Sequence, residues 1–172
     1  MPRRQESGRG LEDDKIRTKA RNNVYALLRS RPRSEFEVRQ RLKLKGYSAA
    51  LIDDTVENFR KTGDLDDEKF ARLWVQSRMH MNPAGDVVLR HELKQKGIAE
   101  AAISAALEFK AENYDEHALA LSIAEERFHR LKALDRRKAL KRVYDFMLRR
   151  GFKYDTIQRI LGELTGIDDE DR

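Results

Sequence analysis

Apolar residues recur along this chain at helical intervals, and one arrangement of them comes round three times. LKLKGYSAALI, from Leu42 to Ile52, returns as LKQKGIAEAAI and again as MLRRGFKYDTI. Align Gly46, Gly97 and Gly151, and Leu42, Leu93 and Met147 stand four residues before them, with Val38, Leu89 and Val143 eight before. Tyr47, Ile98 and Phe152 stand one after, Ile52, Ile103 and Ile157 six after, and Val56, Leu107 and Leu161 ten after. Spacings of four put the apolar residues of each arm on one helical stripe. The glycine suits the position just past a helix end, where the backbone turns left-handed and a Cβ is costly. Each copy therefore predicts a helix, a glycine turn and a second helix.

The end signals agree with that assignment. Ser34-Glu35-Phe36-Glu37 has the form of a capping box after Pro32, and Ser48 can cap the helix carrying Ile52 and Val56. Asp86 and Asp135 are the corresponding starts in copies two and three, whereas Lys153 replaces Ser48 in the third and weakens its cap. A further helix precedes each pair: Ala20, Val24, Leu27 and Leu28 form one stripe. Phe70, Leu73, Trp74 and Ser77 form the second, with Asp66 as cap, and Ala118, Leu121, Glu125 and Phe128 the third. The expectation is nine helices in three tandem three-helix units, residues 15–63, 64–113 and 114–166. A mobile basic segment, 1–14, precedes them and an acidic tail, 167–172, follows. Units this small have thin cores, so neighbours should share burial as in repeat arrays, giving an elongated, repeat-like all-α molecule.

Composition supports the class. Good helix formers dominate, with only three prolines and nine glycines among 172 residues. The absence of cysteine excludes disulfides and thiolate metal sites. No apolar run approaches the roughly 18 residues that span a bilayer, and MPRRQESGRG lacks the apolar core of a secretory signal. A soluble, cytoplasmic, monomeric protein with no membrane contact is expected. The net charge of +6 suits a polyanion or an acidic protein. Its sign alternates along the chain, changing soon after every repeat glycine, so stacked units could carry a basic stripe on one side and an acidic one on the other.

Catalytic chemistry is missing from the pattern. His80, His91, His117 and His129 have no metal-ligand spacing, and no phosphate loop, nucleophile elbow or HExxH occurs. Asp53-Asp54 and Asp66-Asp67 could suggest Mg²⁺, but they fall in or near first helical turns, where negative charge complements the macrodipole. No catalytic residue, metal or cofactor is expected. The candidates for partner binding are the basic residues beside each glycine turn: Arg39, Lys43 and Lys45; Arg90, Lys94 and Lys96; Arg149, Arg150 and Lys153. Taken singly, each reads first as solvated helix surface. Recurrence at Lys45, Lys96 and Arg150 singles them out, although common ancestry of the repeats would also preserve it. Trp74, Tyr25 and Phe36 are expected in the core. Base readout by a helix-turn-helix is disfavoured, because the second helices carry Asp53, Asp54 and Glu57, then Glu100 and Glu108, which repel phosphate.

These residues resemble the RecX regulatory proteins of bacteria. The likeness rests on RPRSEFEV (Arg31–Val38) with the following LKLKGY, on GDLDDEKFA (Gly63–Ala71), on LRHELKQKGI (Leu89–Ile98) and on RRGFKYDTI (Arg149–Ile157), in order over most of residues 20–164. The resemblance implies an all-helical modulator of the recombinase RecA, lying in the groove of the RecA filament on single-stranded DNA. It implies restraint of filament growth or promotion of disassembly, with lower ATP hydrolysis, strand exchange and RecA-stimulated repressor cleavage. Single-stranded DNA would be met through RecA or directly. The alternative from the residues alone is a general nucleic-acid-binding protein acting through its basic stripe. Asn82-Pro83-Ala84-Gly85 departs from the family pattern, which often has a basic residue near a glycine there.

Overall fold

The computed structural model describes residues 6–170, with side chains for 12–166, and among these residues the secondary structure is helical throughout. The helices are α1 (Glu6–Ser30), α2 (Glu35–Leu44), α3 (Ala49–Lys61), α4 (Asp67–Met81), α5 (Asp86–Gln95), α6 (Glu100–Asn113), α7 (Glu116–His129), α8 (Arg136–Arg149) and α9 (Tyr154–Glu170). α1 takes in residues 6–14, which the sequence pattern places ahead of the first unit. The remainder of that basic segment, and the side chains of the acidic tail, lie outside the described residues.

Local sequence sets most of the boundaries. The Ser34 hydroxyl accepts from the Glu37 N–H at 3.2 Å and the Glu37 carboxylate accepts from the Ser34 N–H at 3.4 Å, closing the expected capping box on α2. Ser48 caps α3, Asp66 accepts from the Lys69 N–H at the head of α4, and Asp135 caps α8. Gly46, Gly97 and Gly151 all take positive φ, 81°, 75° and 79°, as the turn requires. Gly63 does the same after α3, a fourth left-handed turn outside the repeat register.

The chain divides into two compact units: one runs through Phe70 and includes Lys96–Ile98, the other holds Ala71–Gln95 and Ala99 onward. In the first, α1, α2 and α3 enclose Val24, Val38, Leu42, Ile52, Val56, Phe59 and Leu65. The second contains α5 against α6, and a core of Ala120, Ala124, Val143, Met147, Phe152, Ile157, Ile160 and Leu164 among α7, α8 and α9. The repeat positions eight and four before each glycine are fully buried in all three copies. Ten after, Val56 and Leu107 are buried but Leu161 is only half-buried, its place taken by Ile160 and Leu164.

The leading helices differ from their expected faces. In α4 the buried residues are Phe70, Ala71, Val75 and Met79; Leu73 and Ser77 face outward and Trp74 is half-buried. In α7 the buried stripe is Ala120 and Ala124, flanked by half-buried Leu121 and Phe128, while Ala118 and Glu125 are exposed. In α7 small residues carry the contact because they let helices approach closely, and a pattern read for large apolar side chains misses them. Tyr25 and Phe36 also leave the core: Tyr25 lies edge-on to Phe59 with 4.8 Å between ring centroids, and both are partly solvent-exposed.

Candidate functional site

The nine basic candidates fall into three groups by what their side chains touch. Lys96 and Arg150, each directly before a repeat glycine, are held inside their units. Lys96 Nζ lies 3.3 Å from Glu37 Oε1 and 5.9 Å from the Phe70 ring centre. Arg150 donates to the Pro83 carbonyl at 2.9 Å and to Asn82 Oδ1, and its guanidinium stacks 4.9 Å from the Phe146 ring. Burial, aided by Arg78, lowers the Arg150 pKa. Arg39, Arg90 and Lys94 form the second group, paired across their own glycine turns with acids of the following helix. Arg39 meets Asp53, Arg90 meets Glu100, and Lys94 Nζ lies 3.1 Å from Glu100 Oε2. Lys43, Lys45, Arg149 and Lys153 point outward, Lys153 reaching Asp86 only at 3.7 Å.

The glycine turns owe their surroundings to these contacts. In the first unit the Lys96-Gly97-Ile98 turn sits against the head of α2, where a Cβ on Gly97 would stand 2.5 Å from Phe36 Cβ. Glu37 is the electrostatic centre of this contact, taking two hydrogen bonds from Arg31 at 3.0 and 2.8 Å besides the Lys96 ammonium. Burial pushes the Glu37 carboxyl up, but Arg31 and Lys96 outweigh it and hold the group below the ordinary glutamate range. In the second unit the Gly85 N–H donates to the Arg150 carbonyl at 2.9 Å, at the matching turn of the third repeat. Asn82-Pro83-Ala84-Gly85 thus packs against Arg150-Gly151.

Two arrangements escape the sequence reading. Lys110 occupies the position thirteen residues after the repeat glycine, where the other copies have buried Phe59 and Leu164. It is 1% exposed, with its ammonium 2.7 Å from Asp86 Oδ1 and also on Glu116. The register difference is the signal that could have found it. The second arrangement is a cleft of about 320 Å³ between α2 and α3, lined by Arg39, Gln40, Lys43, Tyr47, Ile52 and Asp53. It brings the candidates Arg39 and Lys43 to one place. The acid pairs weighed for Mg²⁺ have ordinary partners: Asp53 meets Arg39, Asp54 meets Arg17, and Asp67 accepts from the Glu35 N–H.

Three family models match in chain order: the first three-helix domain of RecX over residues 20–59, the second over 66–107 and the third over 114–161. The chain belongs to the RecX family of regulatory proteins. It is 37% identical over 152 residues to the regulatory protein RecX of Chlorobium phaeobacteroides, covering 88% of this chain and 95% of that one. RecX of Vibrio campbellii is 33% identical over 145 residues, covering 84% and 88%. The crystal structure of RecX from Lactobacillus salivarius shares the fold with a TM-score of 0.76 at 22% identity, over 88% of this chain and 98% of that one. A second RecX crystal structure gives 0.80, also at 22% identity, over 93% and 79%. The three tandem three-helix domains of the RecX fold are therefore present here, and among the described residues no helix is long and apolar enough to cross a membrane.

Proposed function

We propose that this RecX family member binds the RecA filament on single-stranded DNA and lowers its ATPase, strand-exchange and coprotease activities. What supports the reading is that all three RecX domains follow in order, with Lys43, Lys45, Arg149 and Lys153 left outward at the glycine turns of the first and third. The protein works as a monomer in the cytoplasm and contributes no chemistry of its own. A ligand that prefers a non-extending filament geometry shifts the filament population toward it by its difference in affinity for the two states. Cations supply attraction to acidic protein or to phosphate.

The test is the ATPase rate of RecA on excess single-stranded DNA, titrated with this protein at fixed salt. Inhibition below one molecule per RecA protomer is expected, and excess DNA rules out sequestration of the strand. No inhibition up to equimolar protein would overturn the reading. It would favour general nucleic-acid binding, for which affinity must fall steeply with salt as phosphate counterions are released.

A further inference from the structure

One set of repeat positions changes character between copies. Seven and three residues before the glycine and three after it stand Arg39, Lys43 and Ala49 in the first repeat, and Arg90, Lys94 and Glu100 in the second. In the second repeat these three positions touch, since Arg90 and Lys94 both pair with Glu100. In the first they line the α2–α3 cleft. In the third the same positions are Tyr144, Leu148 and Tyr154. Leu148 is 53% exposed and Tyr154 62%, while Tyr144 is half-buried over the α7–α9 core. A surface sealed by ion pairs in one repeat is an open aromatic and aliphatic patch in the other.

The cations around the patch are arranged to match. α2, α5 and α8 all end two residues before their glycine, but α8 has 14 residues against 10, so it is longer by one turn at its head. That added turn begins Arg-Arg-Lys and contains no acid. Arg137, Lys141, Tyr144 and Leu148 follow one another at four, three and four residues, so they share one face of α8, over about 16 Å at 1.5 Å per residue. Arg137 and Lys141 are exposed and make no ion pair among the described residues. Exposed apolar residues rimmed by unpaired charge mark association surfaces, and tyrosine with arginine is the composition of interface anchors.

We propose that this face of the third repeat, Leu148 and Tyr154 with Arg137 and Lys141, is where the protein docks on a protein surface offering an apolar side chain flanked by acids. The inference rests on the RecA reading and identifies, within it, the contact that holds a RecA protomer. Protein is favoured over nucleic acid because the change between repeats replaces charge by apolar surface, including an aliphatic residue that has no face for stacking a base. The flanking cations fit an acidic rim and orient the encounter.

The test uses the full chain with Leu148→Lys and Tyr154→Glu together, which rebuilds the Lys94–Glu100 pair of the second repeat on the third. Both side chains are exposed, so circular dichroism and thermal melting should match wild type; Tyr154→Ala alone serves if the double change does not fold. The concentration for half-inhibition of RecA ATPase should rise about tenfold or more, the size of losing an interface anchor. Binding to a labelled oligothymidylate without RecA should stay as in wild type. Unchanged inhibition would overturn the proposed face. So would a parallel loss of oligothymidylate affinity, which would assign the face to nucleic acid. If wild-type protein itself leaves RecA ATPase unaffected, the regulatory reading fails and takes this contact with it.

Discussion

Gly85 and Gly151 hold each other in place: a Cβ on Gly85 would stand 2.1 Å from the Gly151 carbonyl oxygen, and one on Gly151 would stand 2.6 Å from the Val88 nitrogen. The third-repeat turn is thus closed over by backbone, while the first-repeat turn at Gly46 has nothing within 4 Å of the same position. Both have nearly the same φ, so the difference between them is packing alone.

Substitution at the two turns should separate backbone strain from steric exclusion. Gly46→Ala meets only the left-handed penalty and should cost about 1 kcal/mol. Gly151→Ala meets that penalty and a backbone that cannot retreat, and should cost at least about 3 kcal/mol in all, with strain and overpacking added. Gly85→Ala should resemble Gly151→Ala although its φ is not positive. Urea unfolding of the three variants checks the order, and equal losses at Gly46 and Gly151 would contradict it.

Charge reversal at Lys45, Lys96 and Arg150 should give unequal results despite their shared place in the repeat. Lys45→Glu alters an outward residue and should move stability by no more than about 0.5 kcal/mol. Lys96→Glu sets a carboxylate against Glu37, and Arg150→Glu removes the donor to Pro83 and the stack on Phe146. Each of those should cost about 2 kcal/mol by thermal melting. Surface tests of partner binding therefore belong at Lys43, Lys45 and Arg149. A Lys96→Glu protein as stable as wild type would remove the structural role given to that residue.

Lys110 should behave as a buried charge with fixed partners. Lys110→Ala leaves Glu116 without its cation and Asp86 with only the exposed Lys153 at 3.7 Å, and should cost about 3 kcal/mol. Lys110→Met keeps the aliphatic stem against the core and should recover part of that loss. Denaturant midpoints of the two variants decide it. If methionine is as harmful as alanine, packing of the stem is irrelevant and the pair energy is the whole effect.

The Glu37 carboxyl has its pKa lowered in the folded chain, so its contribution is present above the ordinary glutamate value near 4.5 and is lost as pH falls through the lower, folded value. Protonation there releases Arg31 and Lys96 together. Asp67 acts oppositely, because burial raises its pKa despite the hydrogen bond from the Glu35 N–H, and its effect favours the folded state at low pH. Glu37→Gln should flatten the loss of stability below pH 4.5 without altering the Asp67 effect. Melting temperatures across pH 3 to 6 provide the comparison. An acid limb as steep in the variant as in wild type would rule Glu37 out as its source.

The repeat itself was legible in the sequence because a helix, a left-handed glycine and a second helix are local facts. Val38, Leu42, Gly46, Ser34 and Ser48 occupy the places their spacing demanded, since each is fixed by 3.6-residue periodicity or by capping within four residues. The surface was less legible. Lys45, Lys96 and Arg150 are one position in the repeat, yet only the last two find Glu37, Pro83 and Asn82 above them, at sequence distances of 59, 67 and 68 residues. Likewise Lys110 looks like an ordinary solvated helix residue until Asp86 and Glu116 arrive beside it. Sequence by itself determined which residues form helices, turns and the two-armed motif, because backbone dihedrals, caps and helical periodicity are decided by near neighbours. Tertiary structure alone decided which of the matching cations are tied down and which are free to meet a partner, because a charge is neutralised by whatever is close in space.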